Sequence, residues 1–347
     1  MGGGHGPLSN VYGMGCDNVL EMTVVLANGT TVVVNENSYP DLFFALRGGG
    51  GGTFGVVTQT TMKAYPLPTM HGIRITIYPS QDEETFLSAV AYLLSMTSKM
   101  TDFGISGYPD LSSKRFSARF RAPDKTPAEI ETFMEPILQH METIGTNFTS
   151  SMVGNTGSTL FLKIEKQEYE APYKRYYAAE RLAARQARQY SPSPRAGMML
   201  SRLLSRKALV ETNQPAIRSM LKTVLGSGAI ILPYPVAGGQ VERNRNLDVG
   251  LNPAWRDAVM HLIVMTAGST SSLKAIDSLS ANSGAYLNEG LAAEVDWKKT
   301  FFGGGEHYAR LLRVKEKYDP TNRFWCKPCV GSDLLSEGPL GYLQLRS

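Results

Sequence analysis

The chain has 347 residues, of which 42% are hydrophobic and 19% charged, and 35 Lys plus Arg against 31 Asp plus Glu leave a net charge of +4. That length predicts two domains of roughly 100–200 residues or one large one. The mild charge excludes a whole-molecule basic field for gripping nucleic acid. No apolar run approaches the roughly 18 residues of a membrane span, and three cysteines cannot build a disulfide scaffold.

Glycine stands out, with 34 residues, several of them in runs. The chain opens Met1-Gly2-Gly3-Gly4-His5-Gly6, with neither the charged n-region nor the apolar h-region of a signal peptide. A glycine run normally sits inside a fold, after a strand, where the backbone comes close to something or takes φ > 0. The expectation is that a segment is missing upstream.

Val19–Leu26 and Thr31–Val34 flank Asn28-Gly29 and predict a β-hairpin with a type I′ turn. Pro40 opens a short helix to Arg47, stopped by Gly48–Gly52. A strand over Thr53–Thr58 follows, and Pro66 and Pro68 mark a boundary. Arg74–Tyr78 alternates as a strand. Ser80 and Glu83 form a capping-box pattern for a helix carrying Phe86, Val90, Leu93 and Leu94. Phe116, Ala118 and Phe120 alternate again, and Pro127 opens a helix with Ile130, Met134, Ile137 and Met141 at helical spacing. Further strands are expected at Leu160–Ile164, Ala229–Leu232 and Leu262–Met265. The region past Pro68 is α+β: a sheet with long helices on one side. Between Pro172 and Lys207 nine basic residues face one acidic one, which reads as a solvated Arg-rich helix over Tyr176–Gln189 and a Ser-Pro loop. Near the C-terminus, Tyr286 and Asn288 sit two apart in an expected strand, on one face. A basic helix over His307–Lys317 ends at Asp319-Pro320.

The glycine runs lack the Gly-Lys-Ser/Thr of a P-loop and do not open a long helix as a dinucleotide fingerprint would. Cys326 and Cys329 have CxxC spacing with only Cys16 besides, leaving a disulfide or another structural role open and no metal site expected. Neither HExxH nor Gly-x-Ser-x-Gly is present.

Three blocks, in order, resemble one family: Gly2–Ser9 with Tyr12-Gly13 and Asp17–Leu20; Asp41–Gly50 with Phe54–Thr58; and Tyr286-Leu287-Asn288 with Tyr308–Leu311 and Lys317–Pro320. They look like FAD-linked oxidases of the berberine-bridge-enzyme and glucooligosaccharide-oxidase type, a branch of the vanillyl-alcohol-oxidase-like flavoproteins with a PCMH-type FAD-binding domain. The segment Phe324–Asp333 is most similar to fungal members. The resemblance implies that residues 1–68 and 284–347 belong to a partial FAD-binding domain, and that residues 69–283 form a substrate domain of antiparallel sheet backed by helices. It implies flavin contacts from Gly2, Gly3, Gly4, His5, Gly6 and the backbone of Val57. It implies Tyr286 over the flavin, helping to deprotonate a substrate hydroxyl, and Asn288 holding that tyrosine or the flavin. His307 stands where relatives often have Asn. Relatives carry a diphosphate loop and a flavin-attaching histidine upstream, so the chain as given is expected to hold FAD poorly.

Two functions are therefore expected: an FAD-dependent oxidase acting on an alcohol, sugar or secondary metabolite, or a non-catalytic remnant that at most binds a ligand or partner. Either way the expected partner is a small molecule, without nucleic acid or membrane, and the chain a monomer. Relatives are often secreted, and the compartment is left open.

Overall fold

The computed structural model describes residues 1–79, 82–154, 198–266, 271–281, 283–337 and 343–345. The expected strand at 160–164 and the Arg-rich helix at 176–189 lie outside them.

A small antiparallel sheet is built from β1 (Val19–Val25), β2 (Thr31–Val34) and β3 (Val56–Met62), in the order β2-β1-β3. The hairpin forms as expected, but its turn differs. Leu26 N–H donates to Thr30 O and Gly29 N–H to Leu26 O, and of the loop residues only Gly29 takes positive φ, at 85°. That is a three-residue loop with glycine in the left-handed position, which spares Asn28 the positive φ of a type I′ turn. The helix Pro40–Leu46 follows with proline in its first turn. It buries Leu42, Phe43, Phe44 and Leu46 in a core shared with β1, Phe54, Phe301, Phe302, Tyr308 and Leu311. The outer strand β3 is exposed along most of its length, including Val56 and Met62.

Among the described residues the large sheet has eight strands: β4 (Met70–Tyr78), β5 (Ser106–Gly107), β6 (Asp110–Ser112), β7 (Arg115–Pro123), β8 (Asn147–Val153), β9 (Met198–Ser205), β10 (Ile230–Tyr234) and β11 (Ala258–Thr266). Their order is β8-β4-β7-β6-β10-β11-β9, with β5 beside β7, and every pairing is antiparallel. Period-2 alternation divides the residues between two faces. Ile73, Ile75 and Ile77 of β4, Phe116, Ala118 and Phe120 of β7, and Met260, Leu262 and Val264 of β11 turn to a helix-covered core.

Two of the helices over that face bury one stripe each. Pro127–Thr143 inserts Ile130, Met134, Ile137 and Met141, spaced three or four apart, and Gln214–Gly226 inserts Ile217, Met220, Leu221 and Val224. At roughly 1.5–3 kcal/mol per fully buried large apolar side chain, these stripes are the main force joining helices to sheet. The helix Glu83–Ser95 starts later than its sequence pattern suggests. Asp82 is its cap, accepting from the N–H groups of Glu84 and Thr85. Asp caps as well as Ser and places its charge at the positive end of the helix dipole.

The opposite face of the large sheet carries Leu203 on β9, Tyr234 on β10, and His261 and Ile263 on β11. Onto this face pack Met14 and Cys16 from the N-terminal segment, Leu251 and Trp255 from a loop, and Tyr286 from the C-terminal block. Three distant stretches of sequence thus meet over one sheet face.

Candidate active site

The meeting point is built from the chain's two glycine-bordered ends. Gly3 O accepts from Cys16 N–H at 2.8 Å and Gly4 O from Gly15 N–H at 2.7 Å, which ties residues 1–6 to the turn Gly15–Asn18. Asp17 in that turn is clamped to Arg256 by two bonds of 2.9 and 2.7 Å. Burial alone would raise the Asp17 pKa, but the Arg256 hydrogen bonds and charge outweigh it and hold the carboxyl below the usual range.

Tyr286 sits in extended backbone, and Leu287–Glu289 then curl into a 3₁₀ turn. The expected strand is not formed, yet the two side chains meet: Asn288 Nδ2 donates to the Tyr286 hydroxyl at 2.7 Å. The turn achieves what alternation was expected to provide, because it folds Asn288 back over Tyr286. Gly4 N–H donates to the same hydroxyl at 3.2 Å. With two donors aimed at its oxygen, the phenol keeps its own O–H to donate. Burial is the main cause raising the Tyr286 pKa, so at neutral pH the group is a phenol.

Beside Tyr286 lies Glu289, whose Oε2 receives His261 Nε2 at 2.8 Å and His5 Nε2 at 3.1 Å. Burial would raise the Glu289 pKa, but the hydrogen bonds from His261 and His5 dominate and hold the carboxyl well below the usual range. His261 is fully buried, and burial pushes its pKa down. Atoms of His5, His261 and Glu289 able to bind metal lie within 4.8 Å of one another, a convergence that the shared carboxylate oxygen explains without an ion. Aromatic rings wall the group. Trp255 lies 6.1 Å from His5, 5.6 Å from His261 and 5.5 Å from Tyr286, and Tyr108 packs edge-on to Tyr234 at 4.7 Å.

Of the residues expected from sequence, Gly2, Gly3, Gly4, His5, Tyr286 and Asn288 converge here. Gly6 follows directly, its N–H held by the Ser9 hydroxyl at 2.7 Å. Val57 does not join them; it packs into the small-sheet core opposite Val24. His307 is also elsewhere, bonded to Gly250 O at 3.3 Å beside Phe44. Glu289, His261, Tyr108 and Tyr234 were missed. A histidine inside the apolar run Ala258–Met265 was a usable signal, since a buried polar group requires a partner; Tyr108 gave none. Cys326 and Cys329 form a disulfide.

The residues present could form one wall of a flavin site. A Cβ on Gly2 would lie 2.7 Å from the Asn288 side chain, and one on Gly3, at φ 139°, would lie 2.9 Å from Leu251 and 3.3 Å from the Tyr286 ring. Only glycine lets this backbone lie flush against Tyr286 and Asn288, while a Cβ at Gly6 would meet open space.

Comparison with known proteins agrees. Residues 1–35 match the family described as FAD binding domain, and residues 285–331 match the one described as berberine and berberine like. A FAD-linked oxidoreductase, apf9, of Gibberella fujikuroi is 31% identical over 357 residues, covering 96% of this chain and 59% of that protein. The crystal structure of the VAO-type flavoprotein MtVAO713 from Myceliophthora thermophila superimposes with a TM-score of 0.82 at 26% identity, covering 99% of this chain and 62% of that one. The glucooligosaccharide oxidase of Acremonium strictum shares the fold, with a TM-score of 0.71 at 17% identity over 95% of this chain and 69% of that one. The chain spans 56–59% of the length of three curated relatives it matches. With both of its ends matching flavoprotein segments and the fold continuous between them, the chain belongs to the fungal-type FAD-linked oxidoreductases of the berberine-bridge, VAO-like family.

Proposed function

We propose that this chain carries the substrate domain and part of the flavin domain of an FAD-dependent oxidase. In that reading hydride passes from an alcohol, sugar or secondary-metabolite carbon to flavin, with dioxygen as final acceptor. The observation that carries it is one hydroxyl. Tyr286, within the berberine-like segment, is hydrogen-bonded by Gly4, within the FAD-binding segment. The two segments matched to flavoproteins therefore close on each other at this hydroxyl, beside the His5–Glu289 contact that also joins them.

FAD would supply the two-electron acceptor. Gly2, Gly3, Gly4, His5 and Gly6 would line it with backbone, and Val57 would support it from the small sheet. Residues 1–68 and 284–347 would form the flavin side, and residues 69–283 the substrate side. Tyr286 would hold the substrate oxygen through its free O–H, and Asn288 would fix the ring's hydroxyl in place. Trp255 and Tyr234 give the site flat apolar walls suited to a ring-bearing substrate.

A second reading, a non-catalytic chain that binds only a ligand or partner, is favoured by the exposed outer strand β3. Flavin fluorescence titration followed by desalting and visible spectroscopy separates the two. The oxidase reading expects saturable quenching by the chain that Tyr286→Ala weakens, and a flavin band that largely washes out on desalting. Absence of saturable binding would leave only the second reading.

A further inference from the structure

The site contains a chain of hydrogen bonds that the role of Tyr286 does not use. Resting on the oxidase reading above, we propose that Tyr108, His5 and Glu289 form a proton relay, in which Tyr108 meets the substrate oxygen and takes the proton it releases.

Proton positions follow from the donor and acceptor inventory. An ionised carboxylate can only accept. Glu289 Oε2 is shared by His5 and His261, so each Nε2 must carry a hydrogen. In a neutral imidazole with hydrogen on Nε2, Nδ1 is a bare acceptor. His261 agrees: its Nδ1 is buried with no hydrogen-bond partner among the described residues. A buried acceptor without a partner is less costly than a buried N–H without one. His261 therefore serves to anchor Glu289. In His5 the bare Nδ1 lies 3.4 Å from the Tyr108 hydroxyl, a long contact of the kind that tightens when a substrate binds.

The order Tyr108 O–H, His5 Nδ1, His5 Nε2–H, Glu289 carboxylate is that of a hydroxyl, its general base and the acid that orients the base. The members come from three parts of the chain. Tyr108 lies between β5 and β6 of the large sheet, half-buried, with its ring against Tyr234 and His5. His5 belongs to the glycine segment and Glu289 to the turn after Tyr286. The groups facing His5 are Glu289, His261, Tyr108, Tyr234, Trp255 and Tyr286.

The step moves protons only. The substrate O–H gives its proton to Tyr108 oxygen as the Tyr108 proton passes to His5 Nδ1, and the resulting imidazolium is balanced by the Glu289 carboxylate. Tyr286 is poorly placed for this part, since two donors already point at its oxygen. Tyr286 holds the substrate oxygen, Tyr108 accepts its proton, and His5 and Glu289 act as positioning residues behind Tyr108.

Nitrogen-15 NMR of the histidine rings in the full chain, without flavin, tests the relay directly. The expected result is His5 with hydrogen on Nε2 and bare Nδ1, an Nδ1 resonance that moves in Tyr108→Phe, and an unchanged His261. His5 with hydrogen on Nδ1, or a spectrum unmoved by Tyr108→Phe, overturns the relay whether or not flavin binds. In the FAD-loaded chain, Tyr108→Phe is expected to slow substrate-driven flavin reduction by about 100-fold, with KM within about threefold and the alkaline-rising limb of the pH profile lost. A Tyr108→Phe rate and pH profile equal to wild type also overturns it. The expected tautomer without flavin reduction by any substrate refutes the oxidase reading, and the relay's catalytic role with it.

Discussion

Asp17 and Arg256 join the glycine segment to the loop that carries Trp255, and the joint can be broken one residue at a time. Their side chains are 1% and 6% exposed. Besides Arg256, the Asp17 carboxylate accepts from Met14 N–H at 3.0 Å and Asn244 Nδ2 at 2.9 Å. Asp17→Ala would leave the guanidinium buried, with one bond from the same end to Val241 O at 3.0 Å. Removing one partner of a buried pair costs about 3–5 kcal/mol, because the remaining charge is uncompensated. Unfolding entropy of roughly 2.1 cal/mol/K per residue amounts to about 0.7 kcal/mol/K for a chain this long. If the chain unfolds in one transition, Tm should fall by about 4–7 °C. Circular dichroism at pH 7 would measure it, for Asp17→Ala, Arg256→Met and the double variant. The double should lose clearly less than the sum of the singles, since it strands no charge. The pH dependence has a definite sign. The folded carboxyl's pKa lies below its unfolded value of about 3.9, so the contribution is complete above about pH 5 and is lost as pH falls through the folded value. Additive losses, or single variants within about 1 °C of wild type, would refute the reasoning.

Other predictions concern separate groups. Burial pushes the Cys16 thiol up to about 12, so a disulfide reagent at pH 8 should leave it unmodified until denaturant is added; rapid labelling of the native chain would contradict its burial. Lys315 donates to Asp319 at 2.6 Å, Thr53 O at 2.7 Å and Phe324 O at 2.9 Å. Lys315→Met should cost about 3 kcal/mol and speed proteolysis within residues 319–331, and unchanged protease resistance would count against that bracing role. Gly3→Ala forces a side chain into positive φ, at a cost of about 1–2 kcal/mol. It should weaken flavin quenching more than it lowers Tm, and the reverse would make Gly3 a folding residue only.

Much of this protein was determined locally. Alternation and helical spacing in residues such as Phe116–Phe120 and Ile130–Met141 set the elements, because side-chain direction follows from backbone period alone. Proline at 40 and 127 set where helices begin, and the glycine and Tyr-x-Asn blocks carried the family. Other features depended on distance. The hairpin turn type, the Asp82 cap and the 3₁₀ turn at Asn288 are choices among near-equal local geometries, decided by small energies and neighbouring contacts. The Glu289 cluster is further beyond local reading, since His5, His261 and Glu289 come from parts of the chain 28 to 284 residues apart. Hydrophobic patterning places β11 and decides that His261 points to the face opposite the helices. Only the closing of the N-terminal segment and the C-terminal turn over that face brings a carboxylate to it. A buried histidine needs a partner, but no spacing rule says which of many acidic residues the fold will deliver.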